Sequence, residues 1–297
     1  MATYTPSQLS QYFSHISYPK PQHPSDPLQF LTGLQRHQLL RVPFESLSLH
    51  YSRSRTISLD PQALFTKIVT GSRGGYCLEN NTFFGEILKS LGFQVYAVIC
   101  RIGNASRGVY DGGWRGMSHM ANLVIIDDRK YLVDVGYGAD GPPCPLPLKS
   151  GHISSREPFK LDHKHLPQHT DAGQRVWVYS RLKTRDNNTA WTEIYHFSEV
   201  ETFAADLEVL NYWNMSRSLF AQAVVAQRFT QTEPGEMRSY VLFRDLLKYR
   251  VGETEEMIEV FQNEGQRVKA LVKYFQISLT QEEILAIQGT QSALSTV

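Results

Sequence analysis

The sequence predicts an α+β protein with a helical first third, an antiparallel β centre and a mixed α/β last third. Three observations lead there. Thr5-Pro6, Asp26-Pro27 and Asp60-Pro61 each pair a side-chain cap with a proline suited to the first helical position. From Phe93 onward the apolar residues switch to short strand-like runs without intervening helical patterns. The last hundred residues mix both periods. The chain therefore divides as 1–92, 93–200 and 201–297.

Taken in order, Thr5 and Gln8 form a capping box for a helix whose apolar face is Leu9, Tyr12, Phe13 and Ile16. The next two caps open helices carrying Phe30, Leu31 and Leu34, then Leu64, Phe65, Ile68 and Val69. Between them Val42-Pro43-Phe44-Glu45 reads as a short extended link, because proline drives its predecessor out of helical geometry. Phe83, Phe84, Ile87, Leu88 and Leu91 recur at helical spacing until Gly92 stops the run. Val95–Cys100 is a strand, and 103–116 is a glycine-rich loop. Met120–Ile126 and Tyr131–Val135 form a hairpin around Asp127-Asp128-Arg129-Lys130. A Pro/Gly-rich stretch, 136–147, precedes strands at Val176–Tyr179 and Trp191–Phe197, with an exposed turn at Asp186-Asn187-Asn188. This strand density suggests an antiparallel barrel or curled sheet. Helices follow at Ala204–Asn211 and Leu219–Arg228, a strand at Tyr240–Phe243, a helix at Gln266–Phe275, and a capped helix from Thr280 carrying Ile284 and Ile287.

Thirty basic against 29 acidic residues in 297 argue against a nucleic-acid or membrane-surface binder, which usually carries a basic excess. No apolar run approaches the ~18–20 residues that span a bilayer. The N-terminus lacks the charged and apolar parts of a secretory signal, so the expectation is a cytoplasmic protein. Three widely spaced cysteines, Cys77, Cys100 and Cys144, suit neither a disulfide framework nor a structural zinc site. His163, His165 and His169 lie in a polar segment that reads as a solvated loop without a ligand set, so no metal is expected.

The chemistry gathers at Arg73-Gly74-Gly75-Tyr76-Cys77-Leu78-Glu79-Asn80-Asn81. Cys77 falls at a helix N-terminus, where unpaired N–H groups and the helix dipole favour an anion. A thiol there tends toward thiolate, below its free pKa of ~8.5. Alone, Cys77 reads equally as a small buried hydrophobe. A reactive thiol needs a base and a group that orients the base. His119 stands at the entrance of an apolar strand, and Asp134 lies in Tyr131-Leu132-Val133-Asp134-Val135, where a carboxylate is costly to bury unpaired. A two-residue Asp127-Asp128 turn sets His119 opposite Gly136, with Asp134 its diagonal neighbour on the same face at ~7–8 Å. A one-residue slip would separate them onto opposite faces. Cys100, inside a strand, and Cys144, between prolines, lack these neighbours.

These segments resemble the arylamine N-acetyltransferases. The likeness rests on Arg73–Asn81, Leu34-Gln35-Arg36-His37, Val42-Pro43-Phe44-Glu45, His119–Val124 and Val133-Asp134-Val135-Gly136-Tyr137-Gly138, which cover about half the chain. It implies a helical N-terminal domain, a central β-barrel and a C-terminal α/β lid around a papain/transglutaminase-like catalytic core. It also implies a Cys77-His119-Asp134 triad that moves an acetyl group from acetyl-CoA to arylamines, arylhydroxylamines or hydrazines by a ping-pong route, in xenobiotic detoxification. Acyl-CoA and a small arylamine are then the partners, and no permanently bound cofactor is implied. Backbone N–H groups at the start of the Cys77 helix are natural oxyanion donors.

Arg73 has two readings under this resemblance, a CoA-phosphate contact or a structural partner of Glu45. Tyr137 matches an aromatic position that shapes the acceptor pocket, or simply packs beneath its loop. Arg115, Gly116 and Ser118 lead into His119 and are carried over as acyl-CoA contacts, as is Ser218, although Ser216 replaces a proline that relatives carry nearby. Arg101, Arg107 and Arg115 make a malonyl-CoA donor a live alternative to acetyl-CoA. A papain- or transglutaminase-like enzyme acting on peptides is the more distant one.

Overall fold

A computed structural model describes residues 3–153, 158–185, 188–231, 237–252 and 254–295. The expected caps are all present. Thr5 Oγ1 accepts the Gln8 N–H ahead of α1 (Pro6–His15), and Asp26 accepts the Gln29 N–H ahead of α2 (Pro27–Arg41). Two extended residues, β1 (Phe44–Glu45), lead on to α3 (Pro61–Phe65), which continues into a wider turn over Thr66–Thr70. Next comes α4 (Cys77–Ser90), stopped by Gly92 at φ +91°.

The central sheet contains β2 (Gln94–Gly103), β3 (Trp114–Ile126), β4 (Arg129–Val133), β5 (Leu146–Pro147), β6 (His152–Ile153), β7 (Phe159–Lys164), β8 (Val176–Arg185) and β9 (Asn188–Phe197). Its order is β5-β4-β3-β2-β9-β8-β7-β6, and it curls into a nearly closed antiparallel barrel. Asp127 and Asp128 form the two-residue turn between β3 and β4, both with positive φ (48° and 59°), so the turn twists with its strands. Ile126 pairs with Arg129 and Asn122 with Val133, the expected register.

After the barrel come α5 (Ala204–Arg217), α6 (Leu219–Gln222), β10 (Val225–Gln231), β11 (Met237–Phe243), β12 (Leu246–Val251), β13 (Thr254–Val260), α7 (Glu264–Ala270) and α8 (Gln281–Ala286). The second sheet runs β1-β10-β11-β12-β13. Phe44–Glu45 is thus more than a link, because it hydrogen-bonds as the edge strand of a sheet built largely from residues beyond 224.

Alternation along β3 divides two cores. Val124 and Ile126 pack with Phe83, Phe84, Ile87 and Leu88 of α4 and with α1–α3, whereas Ala121 and Leu123 face Leu132, Tyr179 and Tyr195 inside the barrel. A third core lies between the second sheet and α7 with the wider turn Leu271–Phe275 that continues it, around Leu242, Leu247, Leu271 and Phe275.

Four expectations are corrected. The helix expected over Leu219–Arg228 ends at Gln222, and Val225 onward is β10. The β-branched pair Val224-Val225 and pairing on both edges override a helical reading of a short apolar run. The 103–116 loop is shorter than expected, since β2 extends to Gly103 and β3 begins at Trp114. His163 lies in β7 with its ring 4.7 Å from that of Trp177, so this part of the histidine segment is not loop. Asp134 sits one residue beyond β4 instead of inside it. The expected turn at 186–188 falls partly outside the described residues, which include only Asn188 of it.

Candidate active site

The segment before α4 is held in place by close backbone approach. At Gly74 an added Cβ would lie 1.8 Å from the Pro43 carbonyl oxygen, so no side chain fits there. Asn80 Nδ2 donates to Gly75 O (3.0 Å) and Pro43 O (3.3 Å), and Glu79 accepts the Tyr76 N–H at 3.1 Å. Arg73 takes the structural reading. Its Nε is 3.1 Å from Glu45, which is wholly buried, and its other arm is 3.1 Å from Glu283. Burial alone would raise the Glu45 pKa, but the charges of Arg73 and Lys67 outweigh it and hold the carboxyl below its ordinary value.

Cys77 is the first residue of α4 and 3% exposed. Its Sγ lies 3.7 Å from the Ser118 carbonyl oxygen. His119, on β3, places Nε2 2.7 Å from Asp134 Oδ2, and its side chain hydrogen-bonds with Cys77. Since Nε2 is committed to the carboxylate, Nδ1 faces the thiol. Burial by itself would lower the His119 pKa. The Asp134 charge and hydrogen bond, joined by Cys77, overcome that and raise it to about 10. Asp134 is pulled the other way: burial would raise it, but His119, Asn81 and the Gly136 N–H keep it below its ordinary value. The structure thus brings Cys77, His119 and Asp134 into one hydrogen-bonded line.

Asn81 completes this arrangement, and the sequence reading left its role unstated. Four residues after Cys77, it shares that face of α4. Its Nδ2 donates to Asp134 Oδ1 (2.9 Å) and Met120 O (2.8 Å), and its Oδ1 accepts the Val135 N–H (2.9 Å). One side chain therefore joins the cysteine helix, the histidine strand and the aspartate loop. At Gly136 a Cβ would come 2.7 Å from the Cys77 Cα, so loop and helix touch backbone to backbone. Asn81→Leu, similar in volume, should cost roughly 2–4 kcal/mol in urea unfolding and lower turnover at least tenfold. Wild-type turnover in that variant would refute the positioning role.

The remaining candidates divide. Tyr137 sets its ring edge-on to His119 at 5.2 Å, and Tyr195, which the sequence did not single out, lies 5.2 Å from His119 and 5.3 Å from Tyr137. Arg115 and Gly116 lie on β3, half-buried and exposed respectively, and Ser118 is buried beside the thiol. The Ser218 hydroxyl is occupied: it donates to Asn214 O (2.5 Å) and accepts the Phe220 N–H, capping α6. Cys100 pairs across β2–β3 with His119, but burial pushes its thiol well above the ordinary value.

A family model described as N-acetyltransferase matches residues 27–284. The chain is 35% identical over 278 residues to N-malonyltransferase FDB2 of Fusarium pseudograminearum, covering 86% of this chain and 80% of that protein. It is 30% identical over 213 residues to arylamine N-acetyltransferase 2 of Mesocricetus auratus, covering 68% and 70%. Among solved structures, the Mycobacterium marinum arylamine N-acetyltransferase in complex with CoA matches with a TM-score of 0.75 at 26% identity, over 94% of this chain and 97% of that one. By fold, by matched length and by these relatives, the chain belongs to the arylamine N-acetyltransferase family.

Proposed function

We propose that this protein transfers an acyl group from a coenzyme A thioester to the nitrogen of an arylamine, arylhydroxylamine or hydrazine, through an acyl intermediate on Cys77. The observation that carries this reading is the line from Cys77 through His119 to Asp134, with His119 held protonated well above its ordinary range. Cys77 sulfur attacks the thioester carbonyl, and CoA leaves with the proton from His119. Cys77 then no longer contributes to the charge that keeps His119 protonated. Nδ1 becomes free to take a proton from the incoming amine, which displaces the sulfur. The two half-reactions share one site in succession, so the kinetics should be ping-pong.

Acetyl-CoA is the donor of the first reading. A second reading, malonyl-CoA, is supported by the N-malonyltransferase relative and by Arg115, which lies on β3 four residues before His119. Incubation with each donor, without amine, followed by intact mass measurement tests both. The expected result is one acetyl mass or one malonyl mass on Cys77, and the donor that labels faster identifies the substrate. Peptide cleavage with no acyl mass from either donor would overturn the proposal.

A further inference from the structure

Helix α5 lies over the thiol and turns two buried amides inward, Asn211 and Asn214. They sit one turn apart and differ in one respect. Asn211 is satisfied at both ends: its Nδ2 donates to Ile57 O at 2.9 Å, and its Oδ1 accepts the Tyr76 hydroxyl. Asn214, 1% exposed, spends only its nitrogen, which donates to the Ser118 carbonyl at 3.2 Å. That carbonyl is also the one 3.7 Å from Cys77 Sγ. Asn214 Oδ1 is buried with no hydrogen-bond partner. The orientation of the amide is fixed by chemistry, because flipping it would set two carbonyl oxygens face to face. A buried acceptor left unpaired costs stability, and such groups collect where a ligand supplies the partner.

We infer that Asn214 Oδ1 is a substrate-positioning acceptor, holding an N–H of the substrate at Cys77. This rests on the acyl-transfer reading above and extends it to a residue outside the Cys-His-Asp line. Two substrate groups offer such an N–H: the amine that attacks, and an amide of the pantetheine arm that delivers the acyl group. For a primary amine the assignment is stereochemically complete. The C–N bond forms as the C–S bond breaks. One amine proton passes to His119 Nδ1 and returns to the Cys77 sulfur, while the second stays on nitrogen, directed at Asn214 Oδ1, and remains as the product amide N–H.

The test separates the two half-reactions in three proteins: wild type, Asn214→Leu and Asn214→Asp. Acylation of Cys77 is followed by mass without amine, and amine acylation is followed from the preformed acyl-enzyme. Asn214→Leu is expected to slow one half-reaction roughly tenfold while leaving the other within about twofold. Loss in the amine step identifies the amine N–H, and loss in the donor step identifies the pantetheine amide. Asn214→Asp keeps an acceptor oxygen but loses the donor to Ser118, so it should retain more of the affected step than the leucine variant. Equal losses in both half-reactions, no loss in either, or an aspartate variant no better than leucine would each overturn the inference. Binding supplies a readout that needs no turnover. Where the amine step is the one slowed, an anilide should bind Cys77→Ala protein more tightly than its N-methyl analogue, and Asn214→Leu should erase that difference. Failure of the wild type to gain acyl mass counts against the acyl-transfer reading, whereas an anilide preference left unchanged in the leucine variant, where the amine step is the one slowed, counts against Asn214 alone.

Discussion

Replacing Cys77 with serine is expected to remove acyl transfer almost completely, by roughly 10,000-fold or more, while the protein stays folded. A hydroxyl, smaller than the thiol, fits the same buried position at the start of α4. What fails is proton bookkeeping. In the native site His119 is raised to about 10 by Asp134 and Cys77, so near neutral pH it carries a proton. A thiol can ionise beside such an imidazolium ahead of attack, as a thiolate–imidazolium pair. A hydroxyl, far less acidic, would need a neutral histidine at the moment of attack. The site is therefore matched to sulfur, unlike serine triads whose histidine rests neutral. Intact mass after incubation with acyl-CoA, amine turnover and a thermal melt form the check. Serine protein that retains more than a few per cent of turnover, or still gains acyl mass, would refute the role assigned to Cys77.

Much of this site was legible in the sequence because it depends on local rules. The helix start at Cys77 follows from a glycine pair and an apolar helical run. The meeting of His119 with Asp134 follows from strand parity once Asp127-Asp128 is taken as a two-residue turn, and the observed pairs Ile126–Arg129 and Asn122–Val133 bear that out. Cross-strand geometry gave only a diagonal approach. The short contact of 2.7 Å arises because Asp134 leaves the strand, its loop drawn toward α4 by Asn81 and the bare backbone of Gly136. Asn81 was within reach of helical periodicity, being one turn from Cys77. Asn214 was not, because nothing local announces that α5 crosses above β3 and sets that amide against the Ser118 carbonyl. The same limit explains β10. Val225–Gln231 has a mixed pattern, and its strand geometry is imposed by β1 and β11, the former lying some 180 residues earlier in the chain.

Asp134→Asn should lower turnover by roughly 1,000- to 10,000-fold, and the cause lies in which nitrogen of His119 carries hydrogen. Asp134 Oδ1 accepts from both Asn81 Nδ2 and the Gly136 N–H, so an asparagine keeps its oxygen there. Its amide nitrogen then occupies the position of Oδ2 and donates toward His119 Nε2, where the carboxylate had accepted. His119 must respond with a lone pair on Nε2 and its hydrogen on Nδ1, facing the thiol. In that tautomer it cannot receive the Cys77 proton. Stability carries a second signature with a definite sign. His119 is raised from 6.5 to about 10 in the folded state, so its stabilisation is complete below about pH 6.5 and fades as pH rises through about 10. Asp134 is lowered from 3.8, so its share is complete above about pH 3.8 and fades as pH falls through its lower folded value. Both are fully present only between those limits. Breaking the buried pair should therefore cost most near pH 5, roughly 3–5 kcal/mol, and less at pH 9, where the unfolded histidine is neutral and folding must take up a proton. Urea unfolding of wild type and variant at the two pH values measures the gap. A gap that is equal at both, or wider at pH 9, would show that the His119–Asp134 pair does not stabilise the fold as an ion pair.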